Sequence, residues 1–259
     1  MLNPQNTRHY PSGAWWQMMI PATSSFRGED KVARVTIKVW GDYACFTRPE
    51  FKVERVSYPV PTPSAARGLL EAIFWKPEIR YEVRRIGVIR MGTSLALLRN
   101  EVENRMNAPF FVEDRRQQRA SLILKDVAYL IEAEVVLRPH ATDPLAKYLD
   151  QFERRLKRGQ YHHTPYLGTR EFPAYFSPPD GEAPDRGLNL DLGPMLFDLA
   201  FVEDPSRPEL TFKRLGKGEV QGYALPLFFH AQIRKGWLKV PAEKYRELYR
   251  LEEGHAAGA

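Results

Sequence analysis

The hydrophobic and polar positions of the chain first become regular at residues 32–40, where apolar and polar residues alternate. This alternation predicts a β-strand with one buried face. Apolar residues at helical spacing over 64–75 predict a helix, which prolines open and end. Runs rich in β-branched residues then predict strands over 79–89 and 122–137, the second of them broken near 125–126.

The stretch 91–119 is polar and irregular, and it predicts a long hairpin or a mobile loop. A second helix is predicted from Asp143, an N-cap acceptor that precedes a proline, to Gly159, which ends the helix. Four apolar residues fall within about 60° on its helical wheel and predict a buried face: Leu145, Leu149, Phe152 and Leu156. The opposite face carries Lys147, Gln151, Arg154 and Arg158. Residues 166–176 predict a further strand.

These elements follow one another as strand, helix, strand, strand, helix, strand. That order predicts an α+β protein with a ferredoxin-like βαββαβ domain, the arrangement of the RNA-recognition motif, over 33–178. A β-rich C-terminal subdomain is predicted over 179–250, after a linker rich in Pro, Gly and Asp. Residues 1–32 are predicted to be a poorly structured N-terminal extension, and residues 251–259 a tail. The strands predicted in the C-terminal subdomain span 193–202, 209–215 and 225–240.

The composition excludes several classes of protein. In a chain of 259 residues, 43% hydrophobic residues are enough for a core and too many for a disordered protein. Cys45 is the only cysteine, which excludes a disulfide framework and a Cys-rich zinc site and agrees with a reducing compartment. No uncharged apolar run reaches the roughly 18 residues of a membrane span, and no secretory signal is recognisable. We therefore expect a cytoplasmic protein with no membrane partner.

The excess of basic over acidic residues is small. Lys and Arg number 38 against 32 Asp and Glu, which leaves a net charge of +6. Such an excess favours contact with nucleic acid when the cations are grouped on one surface. Basic residues are grouped in three places along the chain, and each group is equally compatible with a solvated face. The three groups are Arg80-Arg84-Arg85-Arg90, Arg115-Arg116-Arg119 and Arg154-Arg155-Lys157-Arg158.

The sequence has no Walker phosphate loop, dinucleotide fingerprint, zinc-protease helix or nucleophile elbow. Lys147 is a candidate for stabilising a pentacoordinate phosphorane, and Tyr148 for moving a proton or orienting a ribose hydroxyl. The two are equally compatible with a solvated lysine and with a tyrosine beside the apolar stripe. Gly168 either permits the close approach of a ligand or marks a strand bulge. The adjacent His162 and His163 either lie exposed in a loop or take part in metal binding or acid–base chemistry.

Seven short segments, in order along the first predicted domain, carry a resemblance to a known family. They are WGDYACFTRPE (40–50), VERVSY (53–58), PSAARG (63–68), EAIFWKP (71–77), RQQRA (116–120), LKDV (124–127) and LGTREF (167–172). In these segments, and in its C-terminal region, the chain resembles the type I-C CRISPR-associated Cas5 family of the d subtype, within the RAMP superfamily. Several matches in the same order are specific, because neither chance nor a generic RNA-recognition fold would produce them.

The resemblance implies a metal-independent endoribonuclease. Such an enzyme cleaves precursor CRISPR RNA at the base of the repeat hairpin by attack of a ribose 2′-hydroxyl and leaves a 2′,3′-cyclic phosphate. It then remains on the mature 5′ tag within a type I-C Cascade complex. The implied partners are the repeat hairpin, the 5′ tag and the other Cascade subunits, with no cofactor and no metal. Double-stranded DNA stays open as a further partner of a basic surface.

The resemblance also indicates catalytic positions. The lysine of the family's site is present as Lys147, whereas Tyr148 stands where members have histidine and Phe74 where they have tyrosine or histidine. We therefore predict that Lys147 and Tyr148 are catalytic. The nearby replacements for the missing proton-transfer group are Tyr43, His162 or His163. Two alternatives stay open, a non-catalytic RNA-binding scaffold subunit of the same complex and a metal-dependent nuclease or DNA-binding protein. The residues predicted to bind RNA are Tyr43, Arg115, Arg116, Arg119, Arg154, Arg158, Gly168 and Arg170.

Overall fold

Eleven β-strands and three α-helices form the part of the chain that the computed structural model describes, which is residues 32–51, 53–102, 116–214 and 216–253. The strands are β1 (Val32–Ala44), β2 (Phe46–Thr47), β3 (Arg55–Tyr58), β4 (Ile79–Arg90), β5 (Thr93–Val102), β6 (Arg116–Leu137), β7 (Tyr175–Ser177), β8 (Leu190–Glu203), β9 (Leu210–Arg214), β10 (Gly218–Arg234) and β11 (Trp237–Lys239). The helices are α1 (Pro63–Ile73), α2 (Leu145–Arg158) and α3 (Ala242–Glu253). The fold belongs to the predicted α+β class, with more sheet than helix.

Strand β6 is the longest strand of the described residues and pairs with four others, β1, β3, β4 and β5. Strand β1 runs antiparallel to β6 along one edge, and β4 and then β5 run antiparallel to it along the other. The change of partner from β4 to β5 occurs at Asp126, whose φ of 59° lies where the sequence indicated a break. The short strand β7 pairs with β1 and lies at the edge of the sheet.

The C-terminal strands join the same sheet through β11, which pairs with β4 on one side and with β10 on the other. Strand β10 pairs antiparallel with β8 along most of its length and with β9 at its beginning. The sequence predicted one strand over 225–240, but a turn with positive φ at Lys235 and Gly236 separates β10 from β11. Buried residues from both predicted regions therefore share one hydrophobic core.

Helix α1 begins and ends close to the residues that the sequence predicted. Thr62 is its N-cap, and the Thr62 Oγ1 accepts a hydrogen bond from the Ala65 amide at 3.2 Å. Pro63 occupies the first helical position, where the missing amide hydrogen costs nothing. The helix ends at Phe74, an extended C-cap whose amide donates to the Leu70 carbonyl. Its buried side chains pack against β4 and β8.

Helix α2 buries its predicted apolar stripe, and Tyr148 widens that stripe. Gly159 ends the helix in the left-handed conformation with φ of 62°, as predicted. The predicted cap at Asp143 is wrong, because Pro144 is the N-cap and no side chain caps the helix. The Asp143 carboxylate is hydrogen-bonded instead to Lys147, which lies four residues further along the chain.

The stretch 91–119 contains the predicted hairpin, since β5 and β6 pair antiparallel; residues 103–115 lie outside the described residues. The strand predicted over 166–176 is wrong for most of its length, because only Tyr175–Ser177 is a strand. Aromatic residues favour a strand in this segment. Ion pairs from Glu171 to arginines of β3 and β5 hold it instead as a loop.

Helix α3 was not predicted, because it buries only Tyr245 and Leu248 in an otherwise polar sequence. It packs mainly against β8 and includes residues 251–253, the beginning of the predicted tail. The remainder of the tail and the predicted N-terminal extension up to residue 31 lie outside the described residues. Within the described ranges, no helix is long and apolar enough to cross a membrane.

Candidate functional site

Lys147 lies in the first turn of α2, and its side chain is 53% exposed. Its Nζ donates a hydrogen bond to Asp143 Oδ2 at 2.7 Å. This hydrogen bond and the negative charge of Asp143 raise the pKa of the Lys147 ammonium group, which therefore keeps its charge at neutral pH. The structure presents a cation at the surface, where a phosphate can reach it.

Tyr148 points in a different direction from Lys147 and is only 4% exposed. It belongs to the hydrophobic core between α2 and the sheet. Burial raises the pKa of the Tyr148 hydroxyl, and the negative charges of Glu78 and Asp143 add to this shift. At neutral pH the hydroxyl therefore keeps its proton and is able to donate a hydrogen bond. The catalytic role of Tyr148 stays a prediction.

Phe74 is almost completely buried at the end of α1. Its carbonyl accepts a hydrogen bond from the Tyr81 hydroxyl at 2.8 Å, and the Arg155 guanidinium lies 5.4 Å from the centre of its ring. Arg155 Nη1 also donates to the Ile73 carbonyl at 2.9 Å, which joins α2 to the end of α1. Phe74 is therefore a packing residue at a helix junction and has no proton to exchange.

Glu78 lies on the segment that connects this junction to β4, and no pattern in the sequence selects it. Its negative charge contributes to the raised pKa of both Lys147 and Tyr148. One of its carboxylate oxygens, Oε2, is buried and has no hydrogen-bond partner among the described residues. The beginning of α2 and the segment that follows Phe74 are therefore neighbours.

His162 and His163 follow the C-terminal end of α2, whereas Lys147 lies in its first turn. Arg158, the last residue of α2, lies about 16 Å from Lys147 along the helix axis, at 1.5 Å per residue. The two histidines therefore follow the end of the helix that is opposite to Lys147. The amides of both histidines donate to the Ala72 carbonyl, at 2.7 and 3.3 Å, and both residues are exposed. In the described part of the chain, no group of three or more His, Cys, Asp or Glu side chains could hold a metal ion.

Arg154 and Arg158 lie on the same face of α2 as Lys147, within about 40° on a helical wheel. Both are exposed. Neither forms an ion pair with an acidic residue of the described ranges. The three residues form a basic stripe along α2, and we use that name for them below. Their spacing on one exposed face is suited to successive phosphates of a nucleic acid.

Gly168 lies in the loop over 165–173 with φ of 86°. A Cβ atom at this position would lie 2.0 Å from the Cys45 carbonyl oxygen. The Cys45 amide also donates to the Leu167 carbonyl at 2.9 Å, so the loop is attached to the junction of β1 and β2. The close approach that requires glycine is thus to the protein's own backbone. A role of Gly168 in RNA binding stays a prediction.

The same loop carries three other residues of interest. Arg170 is exposed, and the Phe172 ring lies 6.0 Å from the ring of Tyr43, which is partly exposed. Glu171 accepts hydrogen bonds from Arg99 Nη1 at 2.8 and 2.9 Å, and it is also paired with an arginine of β3. The loop therefore brings Tyr43, Gly168 and Arg170 into one region; their binding to RNA stays a prediction.

The arginines at the beginning of β6 differ in their surroundings. Arg119 is 3.4 Å from Glu101 and also hydrogen-bonded to Gln117, so its charge is partly neutralised by its own sheet. Arg116 is exposed. Arg115 lies outside the described residues. Their predicted contacts with RNA stay predictions.

Replacing Gly168 with alanine is expected to destabilise the fold by about 3 kcal/mol or more, because a left-handed φ and a backbone clash act together. Gly159 is the matched control, since it also has positive φ but a Cβ atom there would meet nothing within 4 Å. Gly159→Ala is expected to cost only about 1 kcal/mol. Urea unfolding of both variants measures the difference. Equal losses would contradict the role given to the Cys45 contact.

Comparison with known proteins adds to this description. The family model for CRISPR-associated Cas5d proteins matches residues 35–241. The chain is 86% identical over 229 residues to the CRISPR pre-crRNA endoribonuclease Cas5d of Thermus thermophilus, covering 88% of this chain and 100% of that protein. It is 38% identical over 232 residues to the protein of the same name from Mannheimia succiniciproducens, covering 80% of this chain and 95% of the relative.

A solved structure described as that of a CRISPR-associated protein is similar to this chain with a TM-score of 0.56 and 24% sequence identity. The similarity covers 82% of this chain and 93% of that one. At this identity the likeness concerns the fold.

Proposed function

This chain belongs to the CRISPR-associated Cas5d family, and from that premise we propose that it is an endoribonuclease that processes precursor CRISPR RNA. It cleaves the RNA within the repeat through attack of a ribose 2′-hydroxyl, without a metal or cofactor. It then remains on the mature 5′ tag as a subunit of a type I-C Cascade complex in the cytoplasm. Support comes from the Thermus thermophilus relative, which is 86% identical and bears the name of such an enzyme.

The structural observation that carries the chemistry is the exposed ammonium group of Lys147 at the beginning of α2. Cleavage by a 2′-hydroxyl passes through a phosphorane with extra negative charge on its oxygens, and a fixed cation stabilises that charge. The raised pKa of Lys147 keeps this cation charged at neutral pH. We propose Tyr148 as a hydrogen-bond donor to the ribose or the departing oxygen; because it is only 4% exposed, this role requires its hydroxyl to become accessible when RNA binds.

The basic stripe of Lys147, Arg154 and Arg158 binds phosphates at the base of the repeat hairpin. Shape and backbone contacts are how proteins recognise double-stranded RNA. The single-stranded flank passes to the region of Tyr43, Gly168 and Arg170, where an exposed aromatic ring is available for stacking on a base. The other arginines that extend this surface are Arg115, Arg116 and Arg119.

The proposed RNA-binding unit is the ferredoxin-like domain, and the pairing of the strands supports it. Strands β1 and β4 are both antiparallel to β6, which lies between them, and α1 connects them along the chain. Strands β6 and β7 are both antiparallel to β1, which lies between them, and α2 connects them. This pairing supports an arrangement of two interlocked split βαβ units, with β5 as an addition. The β-rich C-terminal subdomain follows from residue 179.

The test of this function uses purified protein, its own repeat RNA and a matched RNA with a 2′-deoxyribose at the cleavage position, both in EDTA. We expect the first RNA to be cut, with a 2′,3′-cyclic phosphate on the product, and the second to stay intact. Tight binding without cleavage of either RNA would favour the non-catalytic scaffold. Loss of cleavage in EDTA, restored by a divalent cation, would favour a metal-dependent nuclease. Unlabelled duplex DNA as competitor measures whether the basic surface also binds DNA.

A further inference from the structure

The proposed reaction needs a group that accepts the proton of the attacking 2′-hydroxyl, and the residues identified so far do not supply one. Lys147 is a charged ammonium group and Phe74 has no ionisable atom. Burial raises the pKa of Tyr148, so its hydroxyl does not become a phenolate at neutral pH. His162 and His163 follow the opposite end of α2, and their amides are bound to the end of α1. Tyr43 lies on β1 beside Phe172 of the loop over 165–173, whereas Lys147 lies in the first turn of α2.

Asp143 is the carboxylate closest to the proposed phosphate position. Its Oδ2 lies 2.7 Å from Lys147 Nζ, and its side chain is 41% exposed. The sequence predicts that this carboxylate caps α2, but the helix has no side-chain cap. The carboxylate is therefore available for chemistry beside the one cation that the reaction requires. Glu78 is the other carboxylate whose charge acts on Lys147 and Tyr148. Its Oε2 is buried, so an RNA substrate does not reach this oxygen from solvent.

We propose that Asp143 is the general base of the cleavage reaction, an inference that rests on the proposed function. The Asp143 carboxylate takes the proton of the 2′-hydroxyl while the 2′-oxygen bonds to phosphorus. The bond from phosphorus to the 5′-oxygen breaks, and Lys147 gives a proton to that departing oxygen. The protonated Asp143 then returns its proton to the neutral Lys147 amine along the hydrogen bond that joins them. The products are a 2′,3′-cyclic phosphate and a 5′-hydroxyl, and both side chains regain their first state.

The experiment compares single-turnover cleavage of repeat RNA in EDTA by the wild type, Asp143→Asn, Asp143→Glu and Glu153→Gln. Glu153 is the matched control, because it is exposed and hydrogen-bonded to Lys157 four residues later on the same helix, at 3.1 Å. We expect Asp143→Asn to lower the cleavage rate constant by about 100-fold or more, with RNA affinity unchanged within about threefold. Asp143→Glu should recover part of the rate, and Glu153→Gln should match the wild type.

The dependence of the rate on pH separates a base from a positioning residue. The wild-type rate should change little between about pH 6 and 9, because a reaction with its own general base does not depend on hydroxide. In Asp143→Asn the 2′-hydroxyl must be ionised by hydroxide, and the rate should rise about tenfold per pH unit. A flat profile in Asp143→Asn, or a parallel loss of affinity and rate, would overturn the proposal.

Three other outcomes are also decisive. Faster cleavage or tighter binding by Asp143→Asn would mean that Asp143 only competes with phosphate for Lys147, and the proposal would fail. If the wild type itself does not cleave the RNA, the proposed function fails. If the wild type cleaves and Asp143→Asn cleaves equally well, only the assignment of Asp143 fails. Thermal melting of each variant confirms that the compared proteins are folded.

Discussion

Lys147→Ala is expected to lower the single-turnover rate of RNA cleavage by about 10²- to 10³-fold, the usual cost of removing one fixed donor from a transition-state oxyanion. The affinity for repeat RNA should fall only slightly, because Arg154 and Arg158 still bind phosphates along the same helix face. The fold should be unaffected, since Lys147 is exposed and its partner Asp143 is a surface residue. Cleavage at saturating protein, together with an equilibrium binding titration, gives both quantities.

The control for this prediction is Lys157→Ala. Lys157 is exposed on the same helix and is paired with an acidic residue four positions away, as Lys147 is. It does not lie on the basic stripe. We expect it to leave the rate and the affinity unchanged. If Lys147→Ala reduces binding and cleavage by the same factor, Lys147 is a docking residue and the reacting phosphate lies elsewhere.

Arg67→Met is expected to destabilise the protein by about 3 kcal/mol or more, because it leaves a buried carboxylate without its counter-ion. Arg67 Nη2 lies 2.8 Å from Asp198 Oδ2, and Asp198 is 5% exposed. The pair joins α1 to β8, two elements that are far apart in the sequence. Urea unfolding at pH 8 measures the loss. The control is Arg90→Met, which removes an arginine from an exposed pair with Asp126 and should cost less than about 1 kcal/mol.

The loss in Arg67→Met should become smaller as the pH is lowered from 8 to 5. Burial already raises the pKa of Asp198 in the wild type, and Arg67 opposes that shift. Without Arg67 the folded-state pKa of Asp198 rises further above its unfolded value, so the folded variant binds a proton more readily. Its stability therefore increases relative to the wild type as the pH falls toward the unfolded pKa. A loss that is independent of pH would contradict the uncompensated charge as its cause.

Local sequence patterns were sufficient to predict the elements whose buried side chains recur at a regular interval. The stripe of α2, its end at Gly159 and the long central strand all follow from periodicity and from a backbone conformation that only glycine adopts easily. Helix α3 was missed because it buries only two side chains and has little periodic signal. The loop over 165–173 was mistaken for a strand because Glu171 is held by arginines 72 and 116 residues away in the sequence.

The sequence by itself determined the fold class, the burial of the main helices, the family and the position of Lys147. The tertiary structure decided which polar groups meet. It placed Glu78 beside the beginning of α2 and buried Tyr148. The physical reason is that the buried side chains of a helix or strand recur at a regular interval, so that local sequence predicts their burial. A polar side chain has several possible partners, and the packing of distant segments selects among them.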